Sequence, residues 1–147
     1  MCDDVVAQLT SRLEEKDITE DTIFVFASDN GCSPMADFKA LARYDHNPSY
    51  VFRGAKADIY EGGHRIPLLV RWPAQIRAGS RCDQTVCLAD LYATMAEVTG
   101  TFVPDEADED SVSNLPLWME SAGDASLREA TVYHSIDGSF SLRKGRP

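Results

Sequence analysis

Three short strings gather the residues best suited to chemistry. Ser28-Asp29-Asn30-Gly31 ends an apolar run and sets a carboxylate beside an amide carbonyl. Such a pair suits a hard divalent cation, Ca²⁺ or Mg²⁺, which binds through oxygen donors. Two oxygens do not make a complete site, so other ligands must come from elsewhere. The plainer account of Asn30-Gly31 is a turn. Arg53-Gly54-Ala55-Lys56 and Glu61-Gly62-Gly63-His64-Arg65 follow in a loop rich in positive charge. Lysine offers an oxyanion a mobile point charge, and arginine offers sulfate or phosphate a planar fork. Glycines allow close backbone approach. A solvated surface loop would explain the same composition. Between Arg43 and Arg81 there are seven basic and three acidic residues, in a chain whose net charge is -10. That makes the stretch either a solvated face or a local anion site within an acidic protein.

Several other chemistries find no support. The chain has no Gly-x-Ser-x-Gly elbow, no Gly-x-x-x-x-Gly-Lys-[Ser/Thr] and no Gly-x-Gly-x-x-Gly, which removes the usual serine-hydrolase and nucleotide-cradle signatures. Acidic composition argues against a nucleic-acid surface. No apolar run approaches the ~20 residues of a membrane span, and Met1-Cys2-Asp3-Asp4 is no signal peptide. The four cysteines, Cys2, Cys32, Cys82 and Cys87, and the three histidines, His46, His64 and His134, show no zinc spacing. A Cys82–Cys87 disulfide stays open, with reduced buried thiols the simpler expectation. Asp3-Asp4 resembles a metal-binding pair but opens an amphipathic helix, where helix capping accounts for it.

The elements that must position these strings are legible in outline. Val5, Leu9 and Leu13 recur at helical spacing and predict an amphipathic helix with a core-facing stripe. Residues 22–27 read as a strand buried on both faces of a parallel sheet. Residues 32–63 hold no period, and a connection that long is usually functional or disordered. Residues 66–72 predict a second strand, ended by Pro73. Asp90 to Val98, with Gly100 at the C-cap, predict a helix. Residues 104–110 form an acidic connector. Residues 131–136 and 139–143 flank Asp137-Gly138, a type I′ hairpin signal. Trp72, Trp118 and Phe102 read as core. At 147 residues, the chain is long enough for one hydrophobic core, and both ends look cut from a longer protein.

Taken together, Phe26-Ala27-Ser28-Asp29-Asn30-Gly31, the string from Phe52-Arg53-Gly54-Ala55-Lys56 to Glu61-Gly62-Gly63-His64-Arg65-Ile66-Pro67, and Arg71-Trp72-Pro73 closely resemble the sulfatase family. Asp110-Ser111, Leu115-Pro116 and Leu142-Arg143-Lys144-Gly145 continue the likeness in order. The match is to the C-terminal part of arylsulfatase-type enzymes, with an alkaline-phosphatase-like α/β fold. Residues about 1–103 would end the main α/β domain, and about 104–147 would begin a smaller C-terminal subdomain with its β-hairpin. The resemblance implies that Asp29 and Asn30 complete a Ca²⁺ (or Mg²⁺) site and that Lys56 contacts the sulfate ester. Arg53, Glu61 and Arg65 would shape the loop, with His46 and His64 as candidate substrate-side contacts. The family's nucleophile is a formylglycine, whose hydrate attacks sulfur and releases the alcohol.

The departures from the family pattern are as informative. The Cys-x-Pro-x-Arg or Cys-x-Ala-x-Arg motif that yields formylglycine is absent, and Cys32-Ser33-Pro34 lacks the arginine. Asp3-Asp4 does not match the family's paired metal aspartates. The expectation is a sulfatase fragment that contains no nucleophile, is inactive alone, and partners a missing N-terminal part. Its substrate would be a sulfate ester, its exposed edges would favour self-association, and a secreted, periplasmic or lysosomal setting would suit the family. Two alternatives stand: a phosphodiesterase or phosphonate hydrolase of the same superfamily, and a non-catalytic Ca²⁺-binding module.

Overall fold

A computed structural model describes residues 1–107, 109–123 and 125–145; Asp108 of the acidic connector and the terminal Arg146-Pro147 lie outside the described residues. The first helix, α1, runs Cys2–Glu15. Its stripe is less buried than its spacing implies, because Val5 and Leu9 are about half exposed. Asp3 and Asp4 sit in its first turn, yet no side chain caps the helix; Asp4 instead accepts from Gln8 at 2.9 Å.

The two apolar strands form as β1 (Phe24–Ala27) and β2 (Leu68–Arg71). They pair antiparallel, with Phe24 opposite Arg71 and Ala27 opposite Leu68, so the expected parallel pairing is corrected. The cause is where the chain returns. A parallel neighbour needs a crossover back to the start of the first strand, whereas residues 28–67 bring the chain back beside the end of β1. Neither face of β1 is fully buried. Between the strands lie a 3₁₀ turn at Pro34–Ala36, α2 (Phe38–Ala42) and the single-turn α3 (Glu61–His64).

Helix α4 (Asp90–Thr99) stops at Gly100, whose φ of 64° lets the chain leave the helix. Asp90 is 1% exposed and works beyond the helix it begins. Its carboxylate accepts the Cys87 N–H at 2.7 Å and the Val112 N–H at 3.0 Å, and pairs with Arg128. Thr94 extends this network by accepting the Asn114 N–H at 2.8 Å. Buried polar groups need such partners, and here they tie α4 to residues 110–114 and to Arg128. A second 3₁₀ turn (Asp105–Ala107) and α5 (Leu115–Trp118) complete this region.

The C-terminal hairpin pairs β3 (Ala130–His134) with β4 (Phe140–Lys144), Val132 opposite Leu142. Its turn is not type I′, which needs two positive φ angles. Only Gly138 has one, at 85°. Gly138 donates to the Ser135 carbonyl at 3.2 Å and Ser135 donates to Ser139 O at 2.9 Å, a type I turn followed by a left-handed glycine. Phe102, expected in the core, is 84% exposed. Among the described residues Ala55 is the only buried hydrophobic side chain, while Asp90, Thr94, Asn114, Thr131 and Ser135 are buried polar ones.

Candidate functional site

Backbone contact at glycine joins the three sequence strings. Gly31 donates to the Gly63 carbonyl at 2.9 Å, Gly62 to the Arg53 carbonyl at 2.8 Å, and Lys56 to the Cys32 carbonyl at 2.9 Å. The chains lie so close that a Cβ on Gly31 would fall 1.8 Å from the Gly62 oxygen, and one on Gly62 would fall 2.1 Å from the Gly54 oxygen. No side chain fits there. This is why Gly31 and Gly62 stand at these positions, while Gly54 is set by its φ of 87°, and the contact brings the Asp29-Asn30 turn and the Lys56 turn onto one scaffold.

The polar side chains on that scaffold are uncommitted. Asp29 is exposed, and among the described residues its carboxylate takes part in no hydrogen bond or ion pair. Asn30 turns its Nδ2 onto the Gly31 carbonyl at 3.0 Å, which leaves Oδ1 free to face a cation. Lys56 is exposed and its ammonium has no ion pair among the described residues. The neighbouring arginines are held instead. Arg53 lies 3.8 Å over the Tyr60 ring, and Arg65 lies 4.6 Å over Phe52 while pairing with Glu61 at 3.1 Å. These are cation–π contacts of the kind that arginine makes at a surface. His46 is exposed in the loop, whereas His64 stacks on Tyr133 at 4.6 Å with its Nε2 buried and without a hydrogen bond.

Lys56 stands in a turn with two restraints that composition alone does not signal. Asp58 accepts the Ala55 N–H at 2.9 Å and donates its own N–H to the Ala55 carbonyl at 3.0 Å. Ala57, next to Lys56, has a φ of 79°, a region that side chains other than glycine rarely adopt. Its carbonyl accepts the N–H of Ile136 from the hairpin at 3.1 Å. The aspartate three residues after Ala55 closes this turn from its C-terminal side, with its side chain and its backbone both on Ala55. The hairpin contact has no local signal.

The sulfatase family model matches residues 1–101. The chain belongs to the sulfatase family. It is 34% identical over 143 residues to an arylsulfatase of Hemicentrotus pulcherrimus, covering 97% of this chain and 24% of that protein. Identity is 30% over 146 residues to an N-acetylgalactosamine-6-O-sulfatase of Bacteroides thetaiotaomicron, covering 96% and 28%. A solved structure from work on the metabolism of multiple glycosaminoglycans by Bacteroides thetaiotaomicron superposes with a TM-score of 0.82 at 29% identity, over 95% of this chain and 29% of that one. Ps i-CgsB in complex with k-i-k-neocarrahexaose follows at a TM-score of 0.74 and 25% identity, again over 95% and 29%. This sulfatase chain therefore spans about a quarter of the length of these relatives. Its helices and antiparallel strand pairs are a piece of the alkaline-phosphatase-like α/β fold.

The donor set of this sulfatase piece fits a hard cation, though only in part. The Asp29 carboxylate and Asn30 Oδ1 are both oxygen donors without another partner among the described residues. Among the described residues, no three His, Cys, Asp or Glu side chains gather closely enough to hold a metal ion. No helix among the described residues is long and apolar enough to cross a membrane.

Proposed function

We propose that this sulfatase chain serves in the hydrolysis of sulfate esters, supplying two metal-ligating side chains, Asp29 and Asn30, and one sulfate-contacting cation, Lys56. The supporting observation is the pair of backbone bonds, Gly31 to Gly63 and Lys56 to Cys32, which hold these groups on one scaffold with their polar ends free. A bound Ca²⁺, or Mg²⁺, would hold and polarise sulfate oxygens. Lys56 would orient the ester and offset negative charge that grows on its oxygens, a contribution strongest where water is excluded. Arg53 and Arg65, held on Tyr60 and Phe52, would keep the loop in shape. The formylglycine nucleophile would come from polypeptide outside these 147 residues. Residues about 1–103 would close the main α/β domain and about 104–147 open the smaller one.

Release of a chromogenic alcohol from an aryl sulfate tests this reading. The isolated chain should not exceed the blank rate. In an enzyme that contains the chain, Lys56→Ala should lower kcat/KM about 10²–10³-fold, the loss typical of one charge-stabilising donor. Asp29→Ala should raise the Ca²⁺ concentration needed for activity. Turnover by the isolated chain that survives Lys56→Ala, or an unchanged Ca²⁺ dependence in Asp29→Ala, would overturn the respective assignments. Faster hydrolysis of the matching phosphate ester would move the substrate class from sulfate to phosphate.

A further inference from the structure

The hairpin β3–β4 grips the loop that carries Lys56 at four successive points. The Ile136 N–H donates to the Ala57 carbonyl at 3.1 Å, and the Ser141 hydroxyl donates to the Ile59 carbonyl at 3.3 Å. Arg143 pairs with Glu61 across 82 residues of sequence, and the same nitrogen donates to the Tyr133 hydroxyl at 3.4 Å. Tyr133 in turn stacks on His64. The two grips on side chains, one an ion pair and one a ring stack, thus close on α3 (Glu61–His64), the turn whose glycines bond to Arg53 and Gly31.

We propose that Arg143 is a positioning residue, which sets where Lys56 and the Asp29-Asn30 turn stand by anchoring Glu61 of α3. Its side chain is 17% exposed, against 68% for the neighbouring Lys144, whose ammonium pairs with the exposed Glu129. A salt bridge of the latter kind contributes little. The Arg143 bridge is different because it is partly enclosed and joins elements far apart in sequence. The hydrogen bond to the Tyr133 hydroxyl, opposed by burial and supported by the Glu61 carboxylate, favours the charged guanidinium, so Arg143 stays cationic. Glu61 is held from the other side by Arg65. Removing Arg143 takes away the one ion pair that ties α3 to the hairpin among the described residues, leaving the His64–Tyr133 stack and the bonds at Ala57 and Ile59 to hold the loop, and so loosens the segment that carries Lys56.

The functional part of this inference rests on the sulfate-ester reading; the structural part does not. Amide hydrogen exchange of the purified protein reads the structural part. Arg143→Gln should speed exchange at the Gly31 and Lys56 amides about tenfold while the amides of α4 keep their rates. Arg143→Lys should recover most of that protection, since one ammonium can serve both Glu61 and Tyr133. Lys144→Ala should change nothing. Unchanged exchange at Gly31 and Lys56, an equal rise across α4, or no recovery by lysine overturns the proposal. In an enzyme containing this chain, Arg143→Gln should lower kcat for an aryl sulfate about tenfold with KM within twofold, the signature of lost transition-state positioning. A rise in KM alone would contradict positioning of Lys56. A wild-type enzyme with no action on sulfate esters would remove that reading and leave the exchange result to decide the anchor.

Discussion

Asp137 shows how a single side chain can set the behaviour of a turn. It accepts from the Ser135 hydroxyl and from the Ser139 N–H at 2.8 Å. Those donors, the Ser135 hydroxyl first, lower its carboxyl from the ordinary 3.8 to about 2. Because the folded value is depressed, the bonds support the turn fully above pH ~4 and are lost as pH falls from about 4 towards 2. The Ser139 amide signal followed by NMR should therefore titrate with a midpoint near 2, and Asp137→Asn should abolish the step. A midpoint near 4 would show that the turn does not hold the carboxylate. The cysteines sort by the same kind of local environment. All four are free thiols, which answers the open Cys82–Cys87 pairing, but Cys2 and Cys82 are exposed rather than buried. Burial raises the Cys87 thiol, opposed by the charge of Arg128 and reinforced by Asp90. Since the thiolate is the nucleophile, iodoacetamide at pH 8 should label Cys2 and Cys82 before Cys87, as peptide mass spectrometry would read. Cys87 labelling first would contradict its burial.

At the scale of elements, the backbone contact of Gly31, Gly54 and Gly62 is the feature most sensitive to substitution. A methyl group on Gly62 would enter the space of the Gly54 carbonyl, 2.1 Å away. Overpacking of that kind costs ~1–3 kcal/mol, or about five- to 150-fold in the population of the opened loop. Trypsin should therefore cut Gly62→Ala after Arg53 and Lys56 faster by that factor, with cleavage elsewhere unaltered; equal rates would show that the loops do not need their close approach. The sequence made this scaffold partly legible. Four residues of β1, the helix closed by Gly100 and both hairpin strands follow from local periodicity and end signals, which act over a few residues. The direction of pairing between β1 and β2 was not legible, because it depends on where residues 28–67 return the chain. The Asp90–Arg128 and Glu61–Arg143 pairs were missed for the same reason. Their partners lie 38 and 82 residues apart, and charge alone does not say which acid meets which base. Asp29, Asn30 and Lys56 were legible as residue types, but their common scaffold became visible only through bonds between glycine backbones.

For the molecule as a whole, surface area is the most telling quantity. A compact monomer of 16.2 kDa should expose about 7,500 Å², yet this chain exposes 10646 Å². The excess accompanies an interior whose fully enclosed side chains are polar, with Ala55 the one buried hydrophobe among the described residues. A length sufficient for a core thus did not produce one. The apolar side chains face outward instead: Val132, Phe140 and Leu142 on the hairpin, Val5 and Leu9 on α1, and Leu69 on β2 are each about half exposed or more. Contiguous apolar surface left in water drives association, and the ends of two-stranded sheets leave backbone groups able to pair with another chain. The isolated protein should therefore bind a hydrophobic dye such as anilinonaphthalene sulfonate and rise in mass with concentration by light scattering. Replacing Val132 and Leu142, which stand opposite each other on β3 and β4, with threonine keeps strand propensity while removing apolar area. That double variant should lower both dye binding and mass; a monomer that excludes the dye at every concentration would mean that these faces are covered in solution.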